Sequence, residues 1–309
     1  MNSKEILLIL TLQQIKGIGK RGLKKILLIF NNFEPNNPVD LLERLKDAHE
    51  YDKKIRLPDA KEVESAWDKS REILKISKEN KIKIISRKSP KYPEYLLKIP
   101  DPPVLLHVKG NIDSLSQKNS IAIVGTRNAS IYGANAARKL GRRFAKEGFV
   151  VVSGLARGID TQAHKGALDA GGMTVAVLAH GLHTVYPAEN KNLADAIIEK
   201  NGALVSEYSW GKNVFRSYFV ERDRIQSGLS LGVFVVETDV KGGTMHTVKF
   251  CGEQNRVLVV LSAEGFVEKP MGNLRLISEG KGSVVFEMGD ELELVKRKLE
   301  GVQRDLLMN

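Results

Sequence analysis

The sequence predicts an α/β protein in which helices cover both faces of a doubly wound, mainly parallel β-sheet. Two observations predict this fold class: short apolar runs rich in β-branched residues, and helix-forming segments that alternate with these runs from residue 119 onward. Such alternation is typical of parallel strands joined by crossover helices. Sheets of this kind bind their ligands beyond the carboxyl ends of the strands.

Each element of the sheet is assigned from an apolar run or from the helical segment that follows it. The predicted strands cover residues 121–125, 149–153, 174–179, 203–206, 232–237, 256–261 and 283–286. The predicted helices lie near residues 133–147, 160–170, 190–200, 219–228 and 244–253, and a short charged helix is expected over residues 290–309.

A small all-helical domain is expected over residues 1–80, ahead of the sheet. Apolar residues at helical spacing predict two helices between residues 4 and 30, joined by the hairpin Ile15–Lys20. Glycines in this helix-hairpin-helix-like motif let the backbone approach a phosphate, and the surrounding cations are Lys16, Lys20 and Arg21. A hairpin that contacts DNA and a packing domain that meets no nucleic acid both fit the pattern.

Three further segments complete the predicted organisation. Residues 31–40 are expected to form a loop, and residues 39–80 short helices rich in charge. Residues 81–118 are expected to connect the domains as an extended segment, because four prolines between Tyr92 and Gly110 disfavour a helix. An added strand is expected through Val104–Val108, and the main domain then covers residues 119–289.

The composition is basic and poor in cysteine. An excess of 48 lysines and arginines over 37 acidic residues gives a net charge of +11, which favours a polyanionic partner and is equally compatible with a role in solubility. The single cysteine, Cys251, excludes a disulfide framework and a cysteine zinc cluster. We recognise no targeting segment and no apolar run of membrane length, so a cytoplasmic location is expected.

Two glycine-bearing turns follow neighbouring predicted strands and are expected to meet at one edge of the sheet. The candidate phosphate-binding residues in these turns are Gly125, Thr126, Arg127, Ser153, Gly154 and Arg157. Glycine permits close approach of the backbone to an anion, and arginine binds phosphate with two parallel hydrogen bonds. The G-x-G-x-x-G pattern is absent, so NAD is not expected. A plain strand-turn-helix corner with a solvent-facing arginine is the structural alternative.

The stretch Arg216–Ile225 interleaves cations with aromatic rings. Arg216, Arg222 and Arg224 are candidates to track a phosphate backbone while Phe219 stacks on a base. Single strands expose their bases, so this combination favours single-stranded nucleic acid. An amphipathic helix with Phe219 buried and the arginines solvated is the alternative.

A further glycine turn opens the next predicted helix. Lys241 and Gly243 are candidates to supply a charge and a backbone amide to a phosphate. A plain left-handed corner fits equally well.

Catalysis and metal binding are not favoured. Asp160 is expected to cap a helix, and His164 to serve as a packing or hydrogen-bonding group, because no second base or nucleophile lies at a telling spacing. His180 and His183 have no cysteines or carboxylates nearby, so no metal site is expected. Gly133 is expected to allow its helix to pack closely on the sheet.

Together these motifs resemble the DNA processing protein A family (DprA/Smf). The matching motifs are Tyr92-Pro93, Val124–Arg127, Tyr132-Gly133, Ser153–Asp160, Tyr186-Pro187, Ser206-Glu207, Gly228–Ser230 and Val236-Glu237. The resemblance implies an extended Rossmann fold that forms a homodimer and binds single-stranded DNA. In natural transformation and recombination it implies delivery of that DNA to the recombinase RecA, with no cofactor and no enzymatic activity. It also implies a pocket of Gly125, Thr126 and Arg127 with Arg216 and Phe219.

The chain departs from the family pattern, and two other functions stay open. Val220, Asp223 and Gly242 stand where the family has proline, asparagine and serine, and no C-terminal winged helix is expected, so the chain resembles a diverged member. A nucleotide phosphoribohydrolase of the same superfamily has a turn similar to Gly242–Thr244, but no carboxylate lies in residues 245–252 to act as its acid or base. A sensor of small nucleotides is the third possibility.

Overall fold

The computed structural model describes residues 3–282, 284–287 and 291–308. It divides into two compact units. The first extends to Pro90 and includes Val104–Leu106, and the second comprises Lys91–Pro103 and the chain from His107 onward. The first unit extends beyond the predicted boundary at residue 80 because it also contains a strand. The predicted bounds at residues 1, 283, 289, 290 and 309 lie outside the described residues.

The first unit contains the helices around the predicted hairpin. Its elements are α1 (Ser3–Gln14), α2 (Lys20–Phe30), α3 (Pro38–Tyr51), α4 (Ala60–Glu79) and β1 (Ile82–Ser86). The two helices predicted between residues 4 and 30 are confirmed. The prediction of short helices over residues 39–80 is wrong for α4, which runs for 20 residues from a capping box formed by Asp59 and Glu62.

The remaining elements alternate between helix and strand. In chain order they are α5 (Glu94–Leu97), β2 (Leu105–Gly110), β3 (Ser120–Val124), α6 (Ile131–Lys146), β4 (Val150–Ser153), α7 (Ile159–Asp169), β5 (Thr174–Leu178), α8 (Lys191–Glu199), β6 (Ala203–Ser206), α9 (Arg216–Gly228), β7 (Gly232–Val235), α10 (Thr244–Glu253), β8 (Val257–Leu261), α11 (Met271–Ser278), β9 (Val284–Phe286) and α12 (Leu292–Met308). The strands and helices predicted from residue 119 onward are confirmed, with small differences at their ends. Residues 81–118 are not one extended segment, because they include β1, α5 and β2.

The main sheet is doubly wound, as predicted. Its strands lie in the order β2-β6-β5-β4-β3-β7-β8-β9, and every pair from β6 to β9 is parallel. β2 pairs antiparallel with β6, which confirms the added strand expected through Val104–Val108. The chain leaves β3 toward β4 and later returns to β7 on the other side of β3. At such a switch point the loops that follow the two central strands diverge and open a crevice.

The central strands of the sheet are buried on both faces, which explains why they are mainly apolar. Every residue of β3, β5 and β8 is buried, as expected for parallel strands covered by helices. Phe144 of α6 packs edge-to-face on Phe234 of β7 with ring centroids 4.8 Å apart. This packing holds α6 against β7. Across the part of the chain that the structure describes, none of the helices has the length and apolar character needed to span a membrane.

Helix α11 is missing from the sequence-based prediction and helps to shape the crevice. Its Asn273 is fully buried. The side-chain carbonyl of Asn273 accepts a hydrogen bond from the Thr238 amide at 3.0 Å, and its amide donates to the carbonyls of Val236 and Leu261 at 2.9 and 3.0 Å. Asn273 therefore ties α11 to the ends of β7 and β8 and positions Thr238 at the crevice.

Candidate nucleic-acid interface

A cleft of about 340 Å³ opens at the switch point, beyond the carboxyl ends of β3 and β7. It is lined by Val124, Gly125, Thr126, Arg127, Ala156, Asp160, Phe219, Arg222, Asp223, Thr238, Asp239, Gly242, Gly243, Thr244 and Thr247. A second pocket adjoins it and shares Arg127, Ala156, Phe219 and Arg222. The cleft thus brings together the first glycine turn, the glycine turn before α10 and part of α9.

In the first turn the arginine is exposed to solvent, whereas the amide of Thr126 is hydrogen-bonded inside the protein. The amide of Thr126 donates to the carbonyl of Glu237 at 2.7 Å, and the Thr126 hydroxyl oxygen accepts from the amide of Asn128 at 3.2 Å. The Thr126 amide is therefore used inside the protein and does not serve a phosphate. Arg127 is exposed, and its guanidinium carbon lies 5.1 Å from the centroid of the Phe219 ring.

A carboxylate occupies the amino-terminal end of α6, a feature that the sequence analysis missed. Glu237 accepts hydrogen bonds from the Ser130 amide at 3.2 and 3.0 Å and from the Ser130 hydroxyl at 2.9 Å. A Cβ at Gly133 would lie 2.0 Å from Oε2 of Glu237, so glycine is needed there to admit this carboxylate. This corrects the role expected for Gly133, and it removes the start of α6 as an anion site.

The second turn has a structural role apart from its arginine. The buried Ser153 hydroxyl donates to the Ile123 carbonyl at 2.6 Å, so it does not face a ligand. A Cβ at Gly154 would lie 2.3 Å from Nη1 of Arg222 and 2.4 Å from Oδ2 of Asp160, so this glycine makes room for a charged pair behind the cleft. Arg157 is exposed, lines the adjoining pocket and lies 3.5 Å from Glu189.

The floor of the cleft combines one arginine with two carboxylates. Arg222 is buried, and it donates from Nε to Oδ1 of Asp223 at 3.0 Å and from Nη1 to the Val177 carbonyl at 2.5 Å. Asp160 accepts from the Ala156 amide at 3.3 Å. Asp160 is not the helix cap that was expected, because α7 begins after Gly158 and Asp160 lies inside its first turn. Arg222 is therefore largely neutralised by its neighbours.

Burial raises the pKa of both carboxyl groups. Burial raises the pKa of Asp223 to about 6, an effect that the Arg222 guanidinium opposes and the charge of Asp160 reinforces. Burial likewise raises the pKa of Asp160, against the stabilising charge of Arg222. Since a protonated carboxyl offers no repulsion to a phosphate, mild acid makes the floor of the cleft more favourable to an anion.

This shift predicts a pH-dependent stability. Because the folded state holds a proton on Asp223 more tightly than the unfolded chain does, the contribution of Asp223 to the free energy of unfolding should fall as the pH rises from about 4 through about 6. Asp223→Asn removes this contribution, so the free energies of unfolding of the two proteins should change differently over this window. Urea titrations of both proteins at several pH values in this window measure the difference, and parallel curves for the two proteins would contradict the assignment.

The three arginines of α9 have different environments. Arg216 is the first residue of the helix and is exposed, whereas Arg222 lies in the floor of the cleft. Arg224 is buried and donates to the Asp101 carbonyl at 2.8 Å, the Glu221 carbonyl at 2.7 Å and the Glu207 carboxylate at 2.7 Å. These bonds satisfy Arg224 inside the protein, so we remove it from the candidate DNA-binding residues.

Phe219 is the aromatic residue of the cleft. It is half-buried, with the Arg127 guanidinium 5.1 Å and the Arg222 guanidinium 6.0 Å from its ring centroid. The ring of Tyr186, which was not among the predicted site residues, lies 6.1 Å away. Cations held near a ring face are attracted by its π electrons. Phe219 thus joins the two pockets into one surface of rings and guanidinium groups.

The turn before α10 contributes its glycines to the cleft more than its lysine. Gly242, Gly243 and Thr244 line the cleft, and α10 begins directly after Gly243. Lys241 is exposed but is not among the residues that line either pocket. Lys241 therefore contributes charge next to the cleft, not within it.

His164 is a buried, hydrogen-bonded histidine. His164 is fully buried between the Thr174 hydroxyl and the Gly154 carbonyl, each at 2.6 Å, and burial lowers its pKa to about 4. This confirms its expected role as a packing and hydrogen-bonding group. Among the described residues, no three His, Cys, Asp or Glu side chains are grouped so that they could hold a metal ion.

The fold and the crevice define a Rossmann-like α/β protein with exposed arginines and an aromatic ring at the switch point of its sheet. The chain belongs to the DNA recombination-mediator protein A family, whose model matches residues 83–296. This finding confirms the resemblance seen in the sequence.

Individual relatives agree with this assignment. The chain is 39% identical over 201 residues to protein Smf of Synechocystis, a match that covers 64% of this chain and 50% of that protein. The chain therefore spans only about half the length of that relative. The X-ray structure of DNA processing protein A from Streptococcus pneumoniae is similar with a TM-score of 0.72 and 31% identity, covering 92% of this chain and 95% of that one.

A second solved structure is that of DNA processing protein A from Helicobacter pylori, described in terms of its single-stranded DNA binding mode. It is similar to this chain with a TM-score of 0.60 and 26% identity, and the match covers 74% of this chain and 96% of that one.

Proposed function

We propose that this protein binds single-stranded DNA across the switch-point cleft and delivers it to a recombinase of the RecA class. The observation that carries the proposal is the pairing of the exposed Arg127 with the half-buried Phe219 at 5.1 Å, at the mouth of a cleft beyond the strand ends. A guanidinium binds phosphate and a ring stacks on a base, so the pair matches the two repeating parts of an unpaired strand.

The proposed phosphate contacts come from the exposed cations around the cleft. These are Arg127, Arg157, Arg216 and Lys241, with backbone amides of the turn at Gly243. The guanidinium of Arg222 lies 6.0 Å from the centroid of the Phe219 ring, on the floor of the cleft. Gly125 lines the cleft, and Gly154 leaves space for Arg222. Both glycines therefore shape the proposed interface. The similarity to the Helicobacter pylori protein, which is described as binding single-stranded DNA, supports this ligand.

No chemical step is part of the proposal. The carboxylates in the floor, Asp160 and Asp223, both lie against Arg222, and the protein is proposed to bind and hand over DNA as a cytoplasmic homodimer. Sedimentation of the purified protein tests the dimer, and capture of a RecA-class recombinase by the DNA-bound protein tests the handover.

A comparison of three ligands at one salt concentration tests the proposal. We expect a labelled oligothymidine strand to bind more tightly than a duplex of equal length and than AMP. Affinity for the strand should fall with salt at a log–log slope of about −0.7 for each phosphate contacted.

Other outcomes of this comparison would point to the other functions. Thermal stabilisation by a mononucleotide but not by the strand would indicate a nucleotide sensor, since a ligand that binds the native state raises its apparent stability. Release of adenine from AMP would indicate a phosphoribohydrolase. Equal affinity for strand and duplex would contradict recognition of unpaired bases.

A further inference from the structure

Phe215 is an exposed aromatic ring beside the proposed DNA-binding cleft. All ten phenylalanines lie within the described residues, and Phe215 alone is exposed, with 57% of its surface accessible. It immediately precedes α9, next to Arg216. Leaving a large ring in water forgoes the stabilisation that burial would supply.

The ring of Phe215 is supported by other aromatic residues. Tyr218 meets it edge-to-face with centroids 5.3 Å apart, and Tyr218 is itself stacked on Tyr208 at 4.1 Å with 19° between the ring planes. The Tyr208 hydroxyl donates to the Glu221 carboxylate at 2.9 Å. Phe215 therefore has a fixed neighbour on one side and solvent on the other, as a stacking platform requires.

Phe215 and Phe219 lie one helical turn apart at the start of α9. Phe215 is the N-cap residue, with an extended backbone, and Phe219 is the fourth residue of the helix, so their Cα atoms are separated by about 6 Å along the helix axis at a rise of about 1.5 Å per residue. Arg216 is exposed, lies between them in the chain and forms no ion pair with any residue that the structure describes. Lys212, also exposed, precedes the pair. This segment therefore supplies a ring, a cation and a second ring in chain order, the groups that the bases and phosphates of an unpaired strand require.

We infer that Phe215 is a second base-stacking residue for the strand bound at Phe219. Phe219 holds one base, Phe215 holds a base further along the same strand, and Arg216 contacts the phosphate backbone between them. The ligand is consequently an oligonucleotide and not a mononucleotide. This inference rests on the proposed function and extends its site beyond the cleft.

Phe215→Leu tests the inference, because leucine keeps an apolar side chain and removes the ring. Binding to labelled oligothymidine should weaken by about 5- to 150-fold, the effect expected for one lost base–ring stack. Phe215→Tyr, which keeps a ring, should bind as the wild type does. On a strand of equal length whose bases are replaced by abasic sites, the wild type and Phe215→Leu should bind equally. Phe215→Met in the same assay is the second variant should Phe215→Leu fail to fold.

Tyr51→Leu is the matched control, since Tyr51 is an exposed ring in the first unit, with 80% of its surface accessible. It should leave DNA binding unchanged. If the wild type binds the strand and Phe215→Leu binds it equally well, the inference is overturned while the proposed function stands. An equal loss on the abasic strand would also overturn it. If the wild type does not bind the strand at all, the proposed function fails, and the inference with it.

Discussion

Arg127→Ala should lower the affinity for single-stranded DNA by about 10- to 150-fold, which corresponds to the loss of one charge-assisted contact of about 1.5–3 kcal/mol. Arg127 is exposed at the end of the β3 turn, and its guanidinium lies 5.1 Å from the centroid of Phe219. It can thus bind a phosphate while it stays close to the ring. Because one phosphate contact is lost, the salt slope should become shallower by about 0.7.

The matched control is Arg304→Ala, which removes the same charge from an exposed position on α12. Its effect on DNA affinity should be small. A loss as large in Arg304→Ala as in Arg127→Ala would mean that total charge drives binding and that the cleft is not the site. Arg127→Lys should give an intermediate loss, because lysine keeps the charge but not the planar, two-pronged guanidinium.

The fold could be predicted from the sequence because the parallel strands are mainly apolar and helical segments alternate with them. Val257–Leu261, for example, is buried along its whole length and is apolar along its whole length. β1 and α11 were not predicted from the sequence. β1 alternates little and precedes a proline-rich segment, and α11 begins after Pro270 and depends on the buried Asn273, whose partners lie on other strands.

Many residues of the cleft could be predicted from the sequence. The sequence does not show which of their polar groups form hydrogen bonds inside the protein. Glu237 lies 107 residues from Ser130 in the chain, and no local sequence pattern indicates that its carboxylate lies at the start of α6. The Thr126 amide is likewise taken by the carbonyl of Glu237. Long-range hydrogen bonds of this kind depend on the folded arrangement of β3 and β7.

One distinction within α9 was available from the sequence. At about 100° per residue, Arg216, Phe219 and Arg222 fall within about 120° of one another around the helix, whereas Arg224 falls about 80° from Arg216 in the opposite sense. Arg224 therefore faces away from Phe219 and Arg222. The ion pairs of Arg224 with Glu207 and Asp101 depend on the tertiary fold and could not be predicted from these angles.

Arg224→Leu should therefore affect stability and not DNA recognition. The Arg224 side chain is 6% exposed and lies 2.7 Å from the Glu207 carboxylate, which is itself only 10% exposed. Removing one partner of such a buried pair leaves an uncompensated charge and should lower the free energy of unfolding by about 3–5 kcal/mol. Urea denaturation measures this loss. At a temperature where the variant is folded, the salt slope for oligothymidine binding should equal that of the wild type, because no phosphate contact is removed.

The double variant Arg224→Leu/Glu207→Leu separates the ion pair from simple loss of volume. With both charges replaced by apolar side chains, no buried charge is left unpaired, so the double variant should be more stable than Arg224→Leu alone. Strictly additive losses would mean that the two groups do not interact. A loss below about 1 kcal/mol in Arg224→Leu, the cost typical of an exposed ion pair, would place Arg224 in solvent and return it to the candidate DNA-binding residues.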